Sequence, residues 1–411
     1  MPILLRGKNL GLRSLESTDI KKIAEWLNSA ETTRFMFYGR LPSTNKQVKK
    51  LFESYQSSNK NAVFMVVDIK SGLAIGFGGL FKIDYVAKKA EPIMLIGERK
   101  FWGQTYGMEG FTLITHYGFE KLKLNMMYGG VTRPDTRGAE KFYEFLGYKI
   151  NGVRKEMAYR NGIYYDGIMI DILRKEYYPK ILESYQKNFG IRITNEYSYA
   201  KQKQVVSGGK ISKASSRYGV RVNKKFLEGE NIIFRPYQSD DALLIHRWIK
   251  KERQGPLILQ QVRDSIEQQI DSDRNVILVV TKKDKDEAIG LAGLYEIDYI
   301  ARRAEIRIVF GDEKYWSSGH GREVIELLTY YGFDRLNLNR IYLGYPADNK
   351  KVAKNYEKAG YVYEGTIRED IYHNGQYCNT TRVAILRKDY FENFYKSHSE
   401  RFKQSISKKI K

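Results

Sequence analysis

The chain runs to 411 residues, 42% apolar and 29% charged, with a formal net charge of +22; this is the composition of a soluble folded protein, with room for two or three domains. No apolar run approaches the roughly 18 residues of a membrane span, and the amino-terminal MPILLRGKNLGLR lacks the apolar core of a signal peptide. The single cysteine, Cys378, excludes a disulfide framework and points to a reducing cytoplasm.

The positive charge is unevenly spread. Basic and acidic residues number 28 and 17 over 1–175, 11 and 4 over 176–228, 25 and 26 over 229–392, and 6 and 1 over 393–411. The excess therefore lies in the first half, a connector and the tail. Such a field favours a polyanion such as RNA, DNA or a ribosome, although lysine-rich surfaces also serve solubility alone. Residues 76–130 recur as 290–344 at a constant offset of 214 without a gap, so the chain holds one domain twice.

In each copy a short strand ends in Arg13 or Arg235, and Ser17 or Ser239 is the expected N-cap of a helix carrying Trp26 or Trp248. The next stretch differs: TTRFMFYGRLPSTNKQ is aromatic, whereas KKERQGPLILQQVRDS is polar, as expected if the copies take different acceptors. Three strands follow, AVFMVVDI, IGFGGLFKI and AEPIMLIGE in the first copy and NVILVVTK, IGLAGLYEI and AEIRIVFGD in the second, each rich in β-branched or aromatic residues. A helix comes next (MEGFTLITHYGFEKL; REVIELLTYYGFDRL), then a strand and a helix capped by Gly147 or Gly360. A hairpin closes each copy at Asn161-Gly162 and Asn374-Gly375, a type I′ signal. Elements of both kinds are thus expected around one sheet. The stretch 176–228 reads as a basic connector, flexible at least over 201–225. The tail, 393–411, is compatible with a basic amphipathic helix or with disorder.

A Gly-bearing loop between a strand and a helix presents free backbone amides to an anion, so a phosphate-bearing cofactor is the first expectation. The five histidines show no ligand spacing, and no metal site is expected. Cys378 reads as packing rather than as a nucleophile.

The block 295–305 (YEIDYIARRAE), the loop 316–321 (WSSGHG) and the run from Asp348-Asn349 to Tyr361 closely resemble the GNAT superfamily of acyl-CoA-dependent N-acetyltransferases, in the branch of spermidine and ribosomal-protein N-terminal acetyltransferases. The resemblance covers nearly all of 229–392 and, more weakly, 3–175. It implies an α/β (α+β) architecture of two tandem GNAT-type domains, 1–175 and 229–392, each a mixed, mostly antiparallel sheet flanked by helices. It also implies acetyl-CoA as cofactor and a primary amine, such as a polyamine, amino sugar or protein amine, as acceptor. A nucleic-acid- or ribosome-associated enzyme, or a non-catalytic nucleic-acid binder, is the alternative; the oligomeric state stays open.

Carried onto this sequence, the resemblance gives a coenzyme A loop at Trp316, Ser317, Ser318, Gly319, His320 and Gly321, with Arg322 as a phosphate partner. The first copy has Gln104, Thr105 and Gly107 there, and Thr105 in place of a glycine suggests weakened cofactor binding. Asn349 would line the cofactor site, where the first copy has Thr136. Backbone amides around Val309, Phe310 and Gly311 would polarise the thioester carbonyl. Glu305 and its counterpart Glu91 match the general base, and Tyr356 and Tyr143 the tyrosine that protonates the departing thiolate. Structural readings compete: a strand-end ion pair for each glutamate, core packing for each tyrosine. The second copy is expected to be the main catalytic domain. Glu296, Asp298, Glu364, Glu369 and Asp370 are candidate carboxylates for a polycationic acceptor; the first copy has Lys82 in place of Glu296.

Overall fold

A computed structural model describes residues 3–33, 44–132, 136–160, 162–190, 192–193, 225–252, 259–285, 287–311, 315, 319–373 and 375–402. The first copy contains β1 (Leu5–Arg6), β2 (Leu10–Ser14), α1 (Ile20–Asn28), α2 (Asn45–Ser57), β3 (Ala62–Asp68), β4 (Ala74–Asp84), β5 (Lys89–Ile96), α3 (Tyr106–Glu120), β6 (Met126–Thr132), α4 (Thr136–Phe145), β7 (Lys149–Arg160), β8 (Ile163–Leu173), α5 (Arg174–Lys180), α6 (Leu182–Phe189) and β9 (Arg192–Ile193). The second repeats it as β10 (Leu227–Glu228), β11 (Ile232–Pro236), α7 (Asp241–Glu252), α8 (Leu259–Ile270), β12 (Val276–Lys282), β13 (Ala288–Asp298), β14 (Arg303–Phe310), α9 (His320–Asp334), β15 (Arg340–Pro346), α10 (Lys350–Lys358), β16 (Val362–His373), β17 (Gln376–Leu386), α11 (Arg387–Asn393) and α12 (Tyr395–Phe402).

Within each copy neighbouring strands pair antiparallel, with one exception. β5 runs parallel to β6, and β14 parallel to β15. That is the mixed, mostly antiparallel sheet expected. α3 is buried along most of its length and packs Phe111, Leu113, Ile114 and Phe119 into the core of the first copy; α9 does the same with Val324, Leu327, Leu328 and Phe333. The two hairpin turns place Gly162 and Gly375 at φ 84° and 81°, the left-handed values a type I′ turn needs; Asn161 and Asn374 lie outside the described residues. Gly147 and Gly360 follow α4 and α10 at φ 78° and 85°, as C-cap glycines do.

Two expectations are corrected. Ser17 and Ser239 do not cap the first helices. Asp19, just before α1, and Asp241, the first residue of α7, each reach back to accept a hydrogen bond from a backbone N–H three residues earlier (Glu16 and Gln238, both 2.8 Å) while gripping Arg13 or Arg235 through both oxygens. A charged bidentate pair satisfies more donors than a hydroxyl can. Secondly, the start of the connector is ordered: α5 and α6 bury Tyr177, Tyr185 and Phe189 in the first core, and β9 adds to β1. Residues 194–224 lie outside the described set. Of the two states open to the tail, its start takes the helix: α12, whose Phe402 is buried in the second core, matches α6 in position, so the repeat continues beyond 175 and 392.

The two copies share one sheet. β7 pairs antiparallel with β16 at Gly152 and Gly365, positions equivalent in the two copies. Contacts recur about that point as about a twofold axis: Asn125 donates to Glu369 and Asn339 to Glu156, both at 2.7 Å, while Lys175 pairs with Glu369 and Lys388 with Glu156. No helix among the described residues is long and apolar enough to cross a membrane.

Candidate active site

The site begins where a parallel pair comes apart. β5 meets β6 only at Lys89–Met126 and Ala90–Met127, and beyond Ala90 it is paired on its β4 side alone. The Gly97 amide donates to the Ile75 carbonyl at 2.8 Å, which makes Gly76–Ile96 a non-hydrogen-bonded pair of the β4–β5 ladder. Because backbone amides alternate in direction, those of Met94 and Ile96 face away from β4, into the opening. Polar backbone turned into an unpaired gap requires a partner.

In the first copy this gap holds a cavity of about 370 Å³, within the range of cofactor sites. Its walls include Glu91, Met94, Ile96, Trp102, Gln104, Gly107, Phe142 and Tyr143. Glu91 and Tyr143, the expected base and acid, thus line one space. The Glu91 carboxylate lies 3.1 Å from Lys82 Nζ, which is itself 55% exposed. Burial pushes the Tyr143 phenol well above the usual tyrosine value, and the charge of Glu91 adds to the effect. The phenol therefore stays protonated at neutral pH, as a proton donor must. Phe111 and Phe142 hold its ring at centroid distances of 5.5 and 5.0 Å.

The loop from this gap to α3 carries its glycine away from the Thr105 position. The left-handed residue is Gly103, at φ 72°, two positions earlier, with open space where a Cβ would stand; Gly107 is equally open. Trp102 donates its indole N–H to the Ile96 carbonyl at 2.8 Å, pinning the loop to the strand. Gly103 and the aromatic wall of Phe111 and Phe142 were not singled out from sequence. The tryptophan–glycine pair was visible there, but its φ was not.

The second copy places its counterparts differently. Trp316, Ser317 and Ser318 lie outside the described residues. Gly319 precedes α9 at φ 86°, facing open space, and His320 and Gly321 open the helix. Of the three amides expected to polarise a carbonyl, that of Gly311 is bonded to Ile289 at 3.0 Å. By the same alternation Val309 faces β13, and only Phe310 presents its amide to the opening. Arg322 is held by Glu326 at 2.7 Å, one turn along the helix, rather than turned towards the loop. Asn349 caps α10, accepting the Val352 amide at 3.1 Å; the side chain of Thr136 lies outside the described set.

Glu305 is gripped from two sides, by Arg307 at Oε2 and by Arg382 at Oε1, 3.0 Å. Both of its oxygens are thereby engaged by guanidinium donors. Tyr356 packs on Tyr345 and Tyr361, and burial raises its phenol well above the usual value. The expected acceptor carboxylates are mostly engaged. Asp298 accepts the Ile300 and Ala301 amides of its turn, and Glu296 pairs with Arg307 at 2.8 Å. Glu364, Glu369 and Asp370 are not gathered in the cleft. They belong to the joint between copies, where Glu364 binds both arms of Arg340 and the Lys155 amide, and Asp370 binds Lys89. Among the described residues no group of three or more His, Cys, Asp or Glu is placed to hold a metal.

A strand pair that splays over a Gly-bearing loop at the head of a helix, twice in one chain, is the frame of an acyl-CoA-dependent transferase. The acetyltransferase (GNAT) domain family matches residues 9–149 and again 231–362, and the chain belongs to that family. It is similar to the spermidine N(1)-acetyltransferase of Vibrio cholerae, 39% identical over 102 residues, which is 25% of this chain and 58% of that enzyme. It is also similar to the spermidine N(1)-acetyltransferase of Escherichia coli K12, 30% identical over 165 residues, 40% of this chain and 85% of the other. A putative ribosomal N-acetyltransferase of Bacillus subtilis, YdaF, is 27% identical over 101 residues, 25% of this chain and 55% of its own length. Among solved structures, mutant forms of the Vibrio cholerae spermidine/spermine N-acetyltransferase SpeG share 28% identity over 39% of this chain and 97% of theirs, with a TM-score of 0.37.

Proposed function

We propose that the protein is an acetyl-CoA-dependent N-acetyltransferase acting on a primary amine of the polyamine class, and that the cavity of the first copy is a working active site. The observation that carries this reading is the meeting of Glu91 and Tyr143 in one cavity, beneath unpaired strand amides and beside a Gly103-bearing loop. The residues present fit the cofactor: the Met94 and Ile96 amides suit the amide-rich arm, and the open backbone at Gly103 and Gly107 suits phosphates. Bound there, acetyl-CoA supplies a thioester activated for acyl transfer. Glu91 takes the proton of the incoming ammonium, Lys82 stands beside that carboxylate as its ion-pair partner, and Tyr143 delivers a proton on the sulfur side.

The relatives acting on spermidine support a polyamine acceptor. A ribosome-associated amine is the second reading, favoured by the excess of basic residues over 1–228. Calorimetry with acetyl-CoA, followed by turnover assays on spermidine and on intact ribosomes, tests both. Saturable cofactor binding with turnover of spermidine is expected. Turnover of ribosomes alone would move the acceptor to the second reading, and no cofactor binding would overturn the enzymatic one.

A further inference from the structure

The pseudo-twofold joint is chemically lopsided. On the side of the first copy, Met126, Met169 and Leu173 form an apolar cluster into which Ile367 of the second copy packs. The repeat places Arg340, Arg382 and Leu386 at the corresponding positions of the second copy, facing Arg154 of the first. Three apolar side chains on one side are three arginines on the other. Since the same joint closes with methionine and isoleucine, packing does not demand the guanidiniums, and arginines under desolvation carry a cost that apolar residues avoid.

Two of the three are accounted for only in part. Arg340 spends both terminal nitrogens on Glu364, and Arg382 holds Glu305, yet Arg340 Nε and Arg382 Nε are buried without a protein partner. Arg382 also feels Asp370, which Lys89 already neutralises. The Arg154 guanidinium makes no hydrogen bond or ion pair among the described residues. Burial, and then the charges of Arg382 and Arg340, lower its affinity for a proton, while Tyr342 and Glu364 act in the opposite direction. Arg307, 46% exposed, completes the group at the outer edge, between Glu296 and Glu305. Four guanidiniums thus face three carboxylates, Glu296, Glu305 and Glu364, each already bound. One positive charge is left over, in a group whose Arg382 and Arg307 side chains are 24% and 46% exposed. Planar guanidinium donors match the geometry of carboxylate and phosphate oxygens.

We propose that Arg154, Arg382 and Arg307 form an oxyanion-binding site at the acceptor mouth of the second copy, so that the amine taken there carries a carboxylate or phosphate group. The inference rests on the acetyltransferase reading for its word "acceptor", but not for the site itself. It divides the labour of the chain: the first copy, with a lone Lys82 beside its base, serves a plain amine, and the second serves an amine with an anionic end. It also gives Glu305 a role beside the arginines, holding their forks in place until the ligand arrives.

Calorimetry of the full chain with glutarate and with inorganic phosphate, at low salt and without acetyl-CoA, tests the site. At least one should bind saturably, and Arg154→Ile and Arg382→Met, which install the residue types of the opposite side, should each weaken it at least about tenfold. Cooperative melting of each variant checks that it is folded. Glutarate binding alone assigns a carboxylate, phosphate binding alone a phosphate group. The site is overturned if neither anion saturates the unaltered protein, or if both variants keep its affinity. Acetyl-CoA binding and spermidine turnover of the unaltered chain, measured without either anion, judge the enzymatic reading separately.

Discussion

At the scale of single residues, the first copy pairs a carboxylate that has one flexible cation with a phenol held protonated by burial. Tyr143→Phe should lower turnover roughly 10- to 1000-fold while acetyl-CoA affinity stays unchanged, because only the hydroxyl is lost. Glu91→Gln should impair turnover most at low pH, where fewer amines are already deprotonated. With the Tyr143 value displaced upwards, its ionisation should leave no limb in the pH–rate profile below about pH 10. Steady-state kinetics across pH decides these points; full activity in both variants would remove the proton-transfer roles. The family resemblance singles out Glu91, Tyr143, Glu305 and Tyr356 through their local spacing from glycines and strand ends. The environments that distinguish Glu91 from Glu305 were not legible. Arg382 stands 77 positions from Glu305, and only the sheet register brings it there.

At the scale of elements, the helices beyond the expected domain limits carry a consequence for pH. His398 lies on α12, 3% exposed, with Nδ1 3.1 Å from the Tyr390 hydroxyl. Burial depresses its value to about 4, with Glu326 opposing and Arg401 and Arg322 adding to the depression. A histidine that the folded state keeps neutral binds more protons when unfolded. Its contribution is therefore fully present above the unfolded value near 6.5 and is lost as pH falls towards about 4, amounting to about 3 kcal/mol. Denaturant melts at pH 7, 5.5 and 4.5 should show this loss, and His398→Phe should flatten the curve over that window. A residual slope is expected, because burial also lowers His116 on α3. An unchanged slope in the variant would place the acid sensitivity elsewhere. These helices were partly legible: Tyr177, Ile181, Tyr185 and Phe189 recur at helical spacing, but the lysines around them carried the reading towards a flexible connector.

At the scale of the whole molecule, the duplication was legible from identical order and spacing, whereas the way the copies dock was not, since nothing local marks β7 and β16 as partners. The docking has the isologous form of a homodimer, made within one chain. It is tight at its axis: a Cβ on Gly152 would stand 2.1 Å from the Glu364 carbonyl oxygen, and one on Gly365 2.5 Å from that of Asn151. Around the axis lie the Met126–Ile367 cluster and ion pairs that cross between the copies, Arg368–Asp171 and Lys89–Asp370, whose carboxylates are 0% and 6% exposed. Two chains, 1–193 and 225–411, produced together should therefore assemble one to one without the segment that joins them. Because these pairs are buried, 0.5 M salt should leave the complex intact, whereas exposed charges would be screened over roughly 4 Å at that strength. Gly152→Val should abolish assembly of the halves and lower the melting temperature of the full chain, since the clash is with backbone that cannot turn aside. Size-exclusion chromatography with light scattering reads the outcome. Halves that elute separately at micromolar concentration, or a Gly152→Val variant that assembles normally, would mean that the joint does not hold the copies together.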